Sequence, residues 1–156
     1  MTSDQVPGIS IGGGRIAALD VGDKRVGIAV GDALGITAQP LVVVERKSTK
    51  RDVEKICEAL SSYKISRVVV GLPLELDAGE GRQAKRVRAF GDAMEQGSGL
   101  EVVYQDERFT SAQSERLLVE SGMSRKRRRG VIDKMAAALI LQAYLDSQGS
   151  GGGEDA

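Results

Sequence analysis

Histidine is absent from this chain of 156 residues. Without an imidazole there is no Ser-His-Asp or Cys-His machinery and no histidine general base. The usual histidine-rich zinc hydrolase sites are excluded as well. A single cysteine, Cys57, permits neither an intrachain disulfide nor a cysteine zinc cluster, and it fits a reducing cytosol. Aromatic residues make up 3% of the chain, too few for a base-stacking platform. Neither sign of charge is in excess, because Lys+Arg and Asp+Glu both number 22. Affinity for a polyanion must therefore come from local patches. No apolar run approaches the roughly 20 residues of a membrane helix. Residues 1–14 lack the basic-then-apolar order of a signal peptide, so the expectation is a cytoplasmic protein. The chemistry left is that of carboxylates, hydroxyls, lysine and arginine, with hard cations held by oxygen ligands.

Apolar periodicity then organises what is present. Residues 1–14 end in three glycines and 147–156 are Gly, Ser and acidic residues, so both read as flexible tails around one domain, 15–146. Arg15–Asp20 and Arg25–Val30 are short apolar runs joined by a connection too short for a helix, which predicts an antiparallel hairpin. Pro40–Val44 extends it as a third strand, with Pro40 expected at its first position. Val53, Ile56, Cys57 and Leu60 form one stripe of an amphipathic helix, with Cys57 in the core. Ile65–Val70 is a fourth strand, followed by a Gly-containing loop to Gly81 that is a candidate cover for a cleft. A second helix carries Ala84, Val87, Phe90 and Met94, and Leu100–Tyr104 is a fifth strand. A capping-box pattern at Thr110 and Gln113 begins a third helix, ended near Gly122. The last helix, from about Arg128 to Leu145, is apolar enough to be buried on most sides. The order predicts an α/β protein with a mixed five-stranded sheet, three antiparallel strands then parallel ones, and helices on both faces. That is the RNase H-like layout.

Carboxylates at special places are the candidate functional groups. Asp20 ends an apolar strand, where burial is costly unless the group is paired or metal-bound; a turn residue is the competing reading. Asp106 and Glu107 follow the fifth strand directly, and only one of them can face the side of Asp20, because neighbours on a strand point opposite ways. Asp133 lies beside the most apolar helix, where it either faces a cleft or complements the helix dipole. Three such acids around one cleft suit Mg²⁺ or Mn²⁺, and two such ions can drive phosphodiester hydrolysis. The basic run Arg125–Arg129 adjoins Asp133 as a candidate phosphate clamp. The basic residues between Glu45 and Lys55 are mixed with acids and carry little weight.

Taken together, these motifs resemble the YqgF/RuvX family of pre-16S rRNA nucleases related to Holliday-junction resolvases, over about Ile16 to Leu145. The resemblance rests on Leu19-Asp-Val-Gly-Asp-Lys-Arg-Val-Gly-Ile-Ala29, on Val69-Val-Gly-Leu-Pro-Leu74 with Gly79-Glu-Gly81, on Asp106-Glu-Arg-Phe-Thr110 and on Ile132-Asp-Lys-Met-Ala-Ala137. It implies Asp20, Glu107 and Asp133 as catalytic residues and metal ligands, for Mg²⁺ or Mn²⁺ as a two-ion set. It further implies a structured nucleic-acid substrate, with a role at the 5′ end of pre-16S rRNA in the bacterial cytoplasm. Lys24, Arg25, Arg108, Lys126, Arg127 and Arg128 are the candidate nucleic-acid contacts. Gly31 and Ala78 depart from the family's usual residues, at positions that touch no expected ligand.

Three other readings compete. One keeps the chemistry but cuts branched DNA, which a homodimer favours over a monomer. Another is a sugar-kinase or actin-like phosphate hairpin at Asp20-Val-Gly22, disfavoured because such enzymes need a second related domain. The last is a non-catalytic RNA-binding or transcription-associated factor on a nuclease-like scaffold.

Overall fold

Strict alternation of side chains drives the fold. In the computed structural model, which describes residues 14–75, 79–106 and 135–148, Arg15–Val21 forms strand β1. Its Ala17, Leu19 and Val21 enter one buried cluster, whereas Ala18 enters another on the opposite face. β2 (Arg25–Gly31) returns antiparallel after a turn closed by the Gly22 N–H donating to the Arg25 carbonyl at 2.8 Å. Gly22 suits this turn because a Cβ there would press on that carbonyl at 3.0 Å. β3 (Ala38–Glu45) adds antiparallel to β2 as the edge strand.

After α1 (Thr49–Leu60), β4 (Ile65–Leu72) pairs parallel with β1. A two-residue ladder, β5 (Leu74–Glu75) with β6 (Gly79–Glu80), stands where the sequence suggests an irregular loop. Helix α2 (Arg82–Ser98) then leads to β7 (Glu101–Asp106), which pairs parallel with β4. The sheet order is β3-β2-β1-β4-β7, the expected mixed topology. A last helix, α3, covers residues 135–148. No helix among the described residues is long and apolar enough to cross a membrane. The expected helix after Thr110 lies outside the described residues, as does the start of the last helix. The two expected tails do too, apart from residues 14, 147 and 148.

The two faces differ in bulk. Leu19, Ile28, Val26, Val68 and Val70 meet α1 and α2 on one side. Ala18, Ala29 and Val69 meet Ile140, Leu141 and Tyr144 of α3 on the other. Small residues there let the helix sit close to the sheet, and the Leu141 side chain lies 3.7 Å from where a Cβ on Gly31 would be. The last turns of α3 are fixed by polar contacts. Arg67 donates to the Tyr144 hydroxyl at 2.7 Å and to Glu101 at 2.8 Å. Gln142 accepts from the Ala38 N–H at 3.0 Å and donates to the Ile36 carbonyl at 2.8 Å.

Two local expectations change. Pro40 is the third residue of its strand, where the register shifts between Ile28 and Ala29, so the missing N–H falls at an irregularity on an edge. Cys57 is half-buried against the cluster, at its rim and not inside it, because α1 turns that side toward an open groove; burial raises its thiol pKa.

Helices α1 and α2 approach closely at Gly97, where an added Cβ would stand 2.6 Å from the Val53 Cγ1. Gly97→Ala is therefore expected to lose about 1 kcal/mol, overlap outweighing the gain in helix propensity. In urea unfolding, Val53→Ala combined with Gly97→Ala should cost less than the sum of the two single changes.

Asp32 closes the β2–β3 turn by accepting from the N–H groups of Ile36 at 2.8 Å and Thr37 at 3.4 Å. These bonds, that of Ile36 first, hold its carboxyl below its ordinary value of 3.8. A depressed acid stabilises the fold above its unfolded value and loses that contribution as pH falls through the lower folded one. NMR titration should show the Ile36 amide shifting with a midpoint below 3.8. In Asp32→Ala that shift should vanish.

Candidate active site

Asp20 is half-buried near the carboxyl end of β1 and has the parity of Ala18, so it belongs to the α3 side of the sheet. Its antiparallel partner on β2 is Gly27. On β4 the pairing of Leu19 with Val70 brings Gly71 level with Asp20. Across these three central strands, no other side chain rises at that level on that face. Glycines inside strands commonly mark places where a ligand or another backbone comes close. Beyond Gly71 lies Gln105 of β7, half-buried and on the same face.

Parity also separates the two acids after the fifth strand. Val102 and Tyr104 pack on the α1/α2 side, and exposed Asp106 shares their parity. Asp106 is thus on the wrong face to join Asp20. Glu107 and Asp133 lie outside the described residues, together with Arg108, Lys126, Arg127 and Arg128. Among the described residues no three carboxylate, cysteine or histidine side chains gather as a metal site. Lys24 is exposed on the turn beside Asp20, and half-buried Arg25 begins β2 opposite Glu45.

The turn carrying Lys24 is anchored by a group the sequence reading passed over. Asp52, on α1, is 1% exposed. It accepts from Arg46 Nε at 2.9 Å and from the Lys47 N–H at 2.9 Å. Arg46 also donates through Nη1 to the Gly22 carbonyl at 2.9 Å, and its N–H donates to the Lys24 carbonyl at 2.8 Å. Its guanidinium lies 4.9 Å from the centre of the Phe90 ring of α2. One arginine therefore ties the hairpin turn two residues past Asp20 to the start of α1 and to α2. The signal was available in the sequence: Asp52 stands four residues before Ile56, on the buried side of the helix. A second contact on the turn, Asp23 with Arg86 at 3.6 Å, is solvent-exposed and contributes little.

A family model described as RuvX, Holliday junction resolvase, matches residues 14–147. The chain belongs to this family. Among its RuvX relatives, a protein named "Putative pre-16S rRNA nuclease" from Pelotomaculum thermopropionicum is 47% identical over 136 residues, covering 86% of this chain and 88% of that one. A protein of the same name from Desulforudis audaxviator is 44% identical over 137 residues, covering 88% and 97%. Among solved structures, T. thermophilus RuvC in complex with a Holliday junction aligns over 86% of this chain and 94% of that one, with a TM-score of 0.52 and 20% identity. The fowlpox virus resolvase bound to junction DNA gives 0.51 at 16% identity, over 86% and 98%. These likenesses show the RNase H-like fold expected from the element order.

Removing Arg46 would leave the Asp52 carboxylate buried with one backbone donor. Arg46→Ala should cost about 3 kcal/mol in chemical denaturation. A smaller loss is expected for a variant carrying both Arg46→Met and Asp52→Leu, which removes the stranded charge.

Proposed function

We propose that this protein is a nuclease that hydrolyses phosphodiester bonds near the 5′ end of precursor 16S rRNA in the cytoplasm. The observation that carries the reading is Asp20, a half-buried carboxylate on the α3 face of the central strand, flanked by glycine on both neighbouring strands. The names of the RuvX relatives supply the substrate.

Two sequence relations support the partners of Asp20. Glu107 has the parity of Val103 and Gln105, the β7 residues on the Asp20 side. Asp133 has the helical phase of Ala137, Ile140 and Tyr144, the stripe of α3 that packs on that face.

The donor set fits hard divalent cations, since it is wholly carboxylate oxygen in a chain without histidine. Mg²⁺ or Mn²⁺ held by Asp20, Glu107 and Asp133 would supply Lewis acidity and an activated water for in-line displacement. The chain itself orients the Asp20 carboxylate through the β1–β2 ladder. Gly27 and Gly71, both buried, put no side chain beside it on the neighbouring strands. Lys24, Arg25 and Arg108, with Lys126 to Arg128, balance phosphate charge along the nucleic-acid strand.

The RuvX model's description favours a second reading, cleavage of four-way DNA junctions. Both substrates belong in one experiment with Mn²⁺. Wild type should cut the rRNA precursor, and Asp20→Asn, Glu107→Gln and Asp133→Asn should each lose on the order of a hundredfold or more while still binding it. Preference for the junction would transfer the role to DNA. No cleavage of either substrate by wild type would end the hydrolytic reading.

A further inference from the structure

A groove of about 570 Å³ runs between the edge strand β3 and helix α1. Its floor is apolar, from Val42, Val44 and Ala59, and its rim carries Lys47, Arg51 and Lys55. All three cations are exposed. Arg51 and Lys55 are one turn apart on the same side of α1, with about 5–6 Å between such Cβ atoms. Among the acids that line it, Asp52 is held by Arg46, which leaves Glu45 and Glu58 against the three cations. The groove thus keeps an excess of positive charge.

The end of the groove nearer the start of α1 lies at the same end of the sheet as Asp20, on the opposite face, with the Gly22–Lys24 turn between them. β3 delivers Glu45 beside Arg25, and Arg46 is bonded to the carbonyls of both Gly22 and Lys24, on the turn directly after Asp20 and Val21. Lys24, Lys47, Arg51 and Lys55 therefore follow one another from the sheet end that bears Asp20 out along the groove.

We propose that this groove holds a single-stranded segment of the nucleic acid that flanks the cleavage position, its phosphates on Lys47, Arg51 and Lys55. This rests on the nuclease reading above and adds a second contact region to the same substrate. A single strand is inferred because the groove is too small to admit a duplex. Binding is sequence-tolerant, because no aromatic ring lines the groove and aliphatic side chains offer only packing against sugar faces. Acidic protein segments share the charge but do not explain the continuity with the turn beside Asp20, which a strand leaving the active site does.

The test measures binding without divalent metal, so its outcome is independent of cleavage. Stem-loop RNAs with and without a ten-nucleotide single-stranded flank are titrated with wild type and with Lys47→Ala/Arg51→Ala/Lys55→Ala. Loss of three phosphate contacts should lower the slope of log K against log salt by about 2 and weaken the flanked RNA on the order of 10–100-fold at about 0.1 M salt. The flankless RNA should change far less. Lys47→Arg/Lys55→Arg should retain wild-type binding, which separates charge from misfolding. A DNA flank bound as tightly as the RNA one supports pure backbone recognition; selective loss of the DNA arm assigns the site to RNA. Equal losses with and without the flank, or none, overturn the proposal, and the latter leaves the groove to a protein partner. If wild type binds the flank but never cuts, the groove stands and the hydrolytic reading falls.

Discussion

The unequal bulk of the two sheet faces governs this molecule. One face is filled by Leu19, Ile28, Val26, Val30, Val68 and Val70, and α1 and α2 cover it. The other is built from Ala18, Ala29 and Val69, and among the described residues α3 lies close against it. Side chains alternate along an uninterrupted strand, and β1 is uninterrupted from Ile16 on, so a carboxylate two residues after Ala18 rises on that shallower face. The position of Asp20 follows from packing. It sits between glycines, so neither neighbouring strand puts a side chain beside it.

Holding that carboxylate still is a separate problem, because strand ends fray and hairpin turns are mobile. The pair of half-buried Arg46 and buried Asp52 addresses it. Ion pairs of this sort add little net stability compared with apolar replacements, since both charges lose water. What they provide here is connection: one guanidinium reaches a turn carbonyl, a helix carboxylate and an aromatic face in three different elements. An apolar residue could fill the space but could not fix the turn by direction. The polar contacts that secure the final turns of α3, through Arg67, Tyr144 and Gln142, do the same at the opposite end of the sheet.

Much of this was legible from the order of residues. Short apolar runs at Arg15–Asp20 and Arg25–Val30, joined by a connection too short for a helix, predict the hairpin that forms. The i, i+3, i+4 stripes gave α1 and α2 their buried sides. The failures share a cause. Pro40 was expected to open its strand, since an uninterrupted ladder was assumed; the shift of register that accommodates it is a property of two strands together. The ladder of β5 and β6 is shorter than any periodicity can register. Asp52 was read as one more charge in a mixed segment, although its spacing from Ile56 placed it inward. Asp20 was recognisable because its neighbours are apolar, and the exclusion of Asp106 needed only parity. Which distant acids meet Asp20 depends on chain crossings that no local pattern encodes, so the proposal of Glu107 and Asp133 rests on the resemblance of four separated blocks.

The irregularity at Pro40 has a further effect, on how copies of the protein treat one another. An edge strand rich in valine, such as Leu41–Val44, is the type of segment along which sheets of different molecules fuse. A proline lacking its donor, set where the pairing slips by one residue, denies an incoming strand any straight run of matching groups. The feature that looks like a defect in the ladder therefore protects solubility, and it lets the rim beside that strand stay exposed without inviting aggregation.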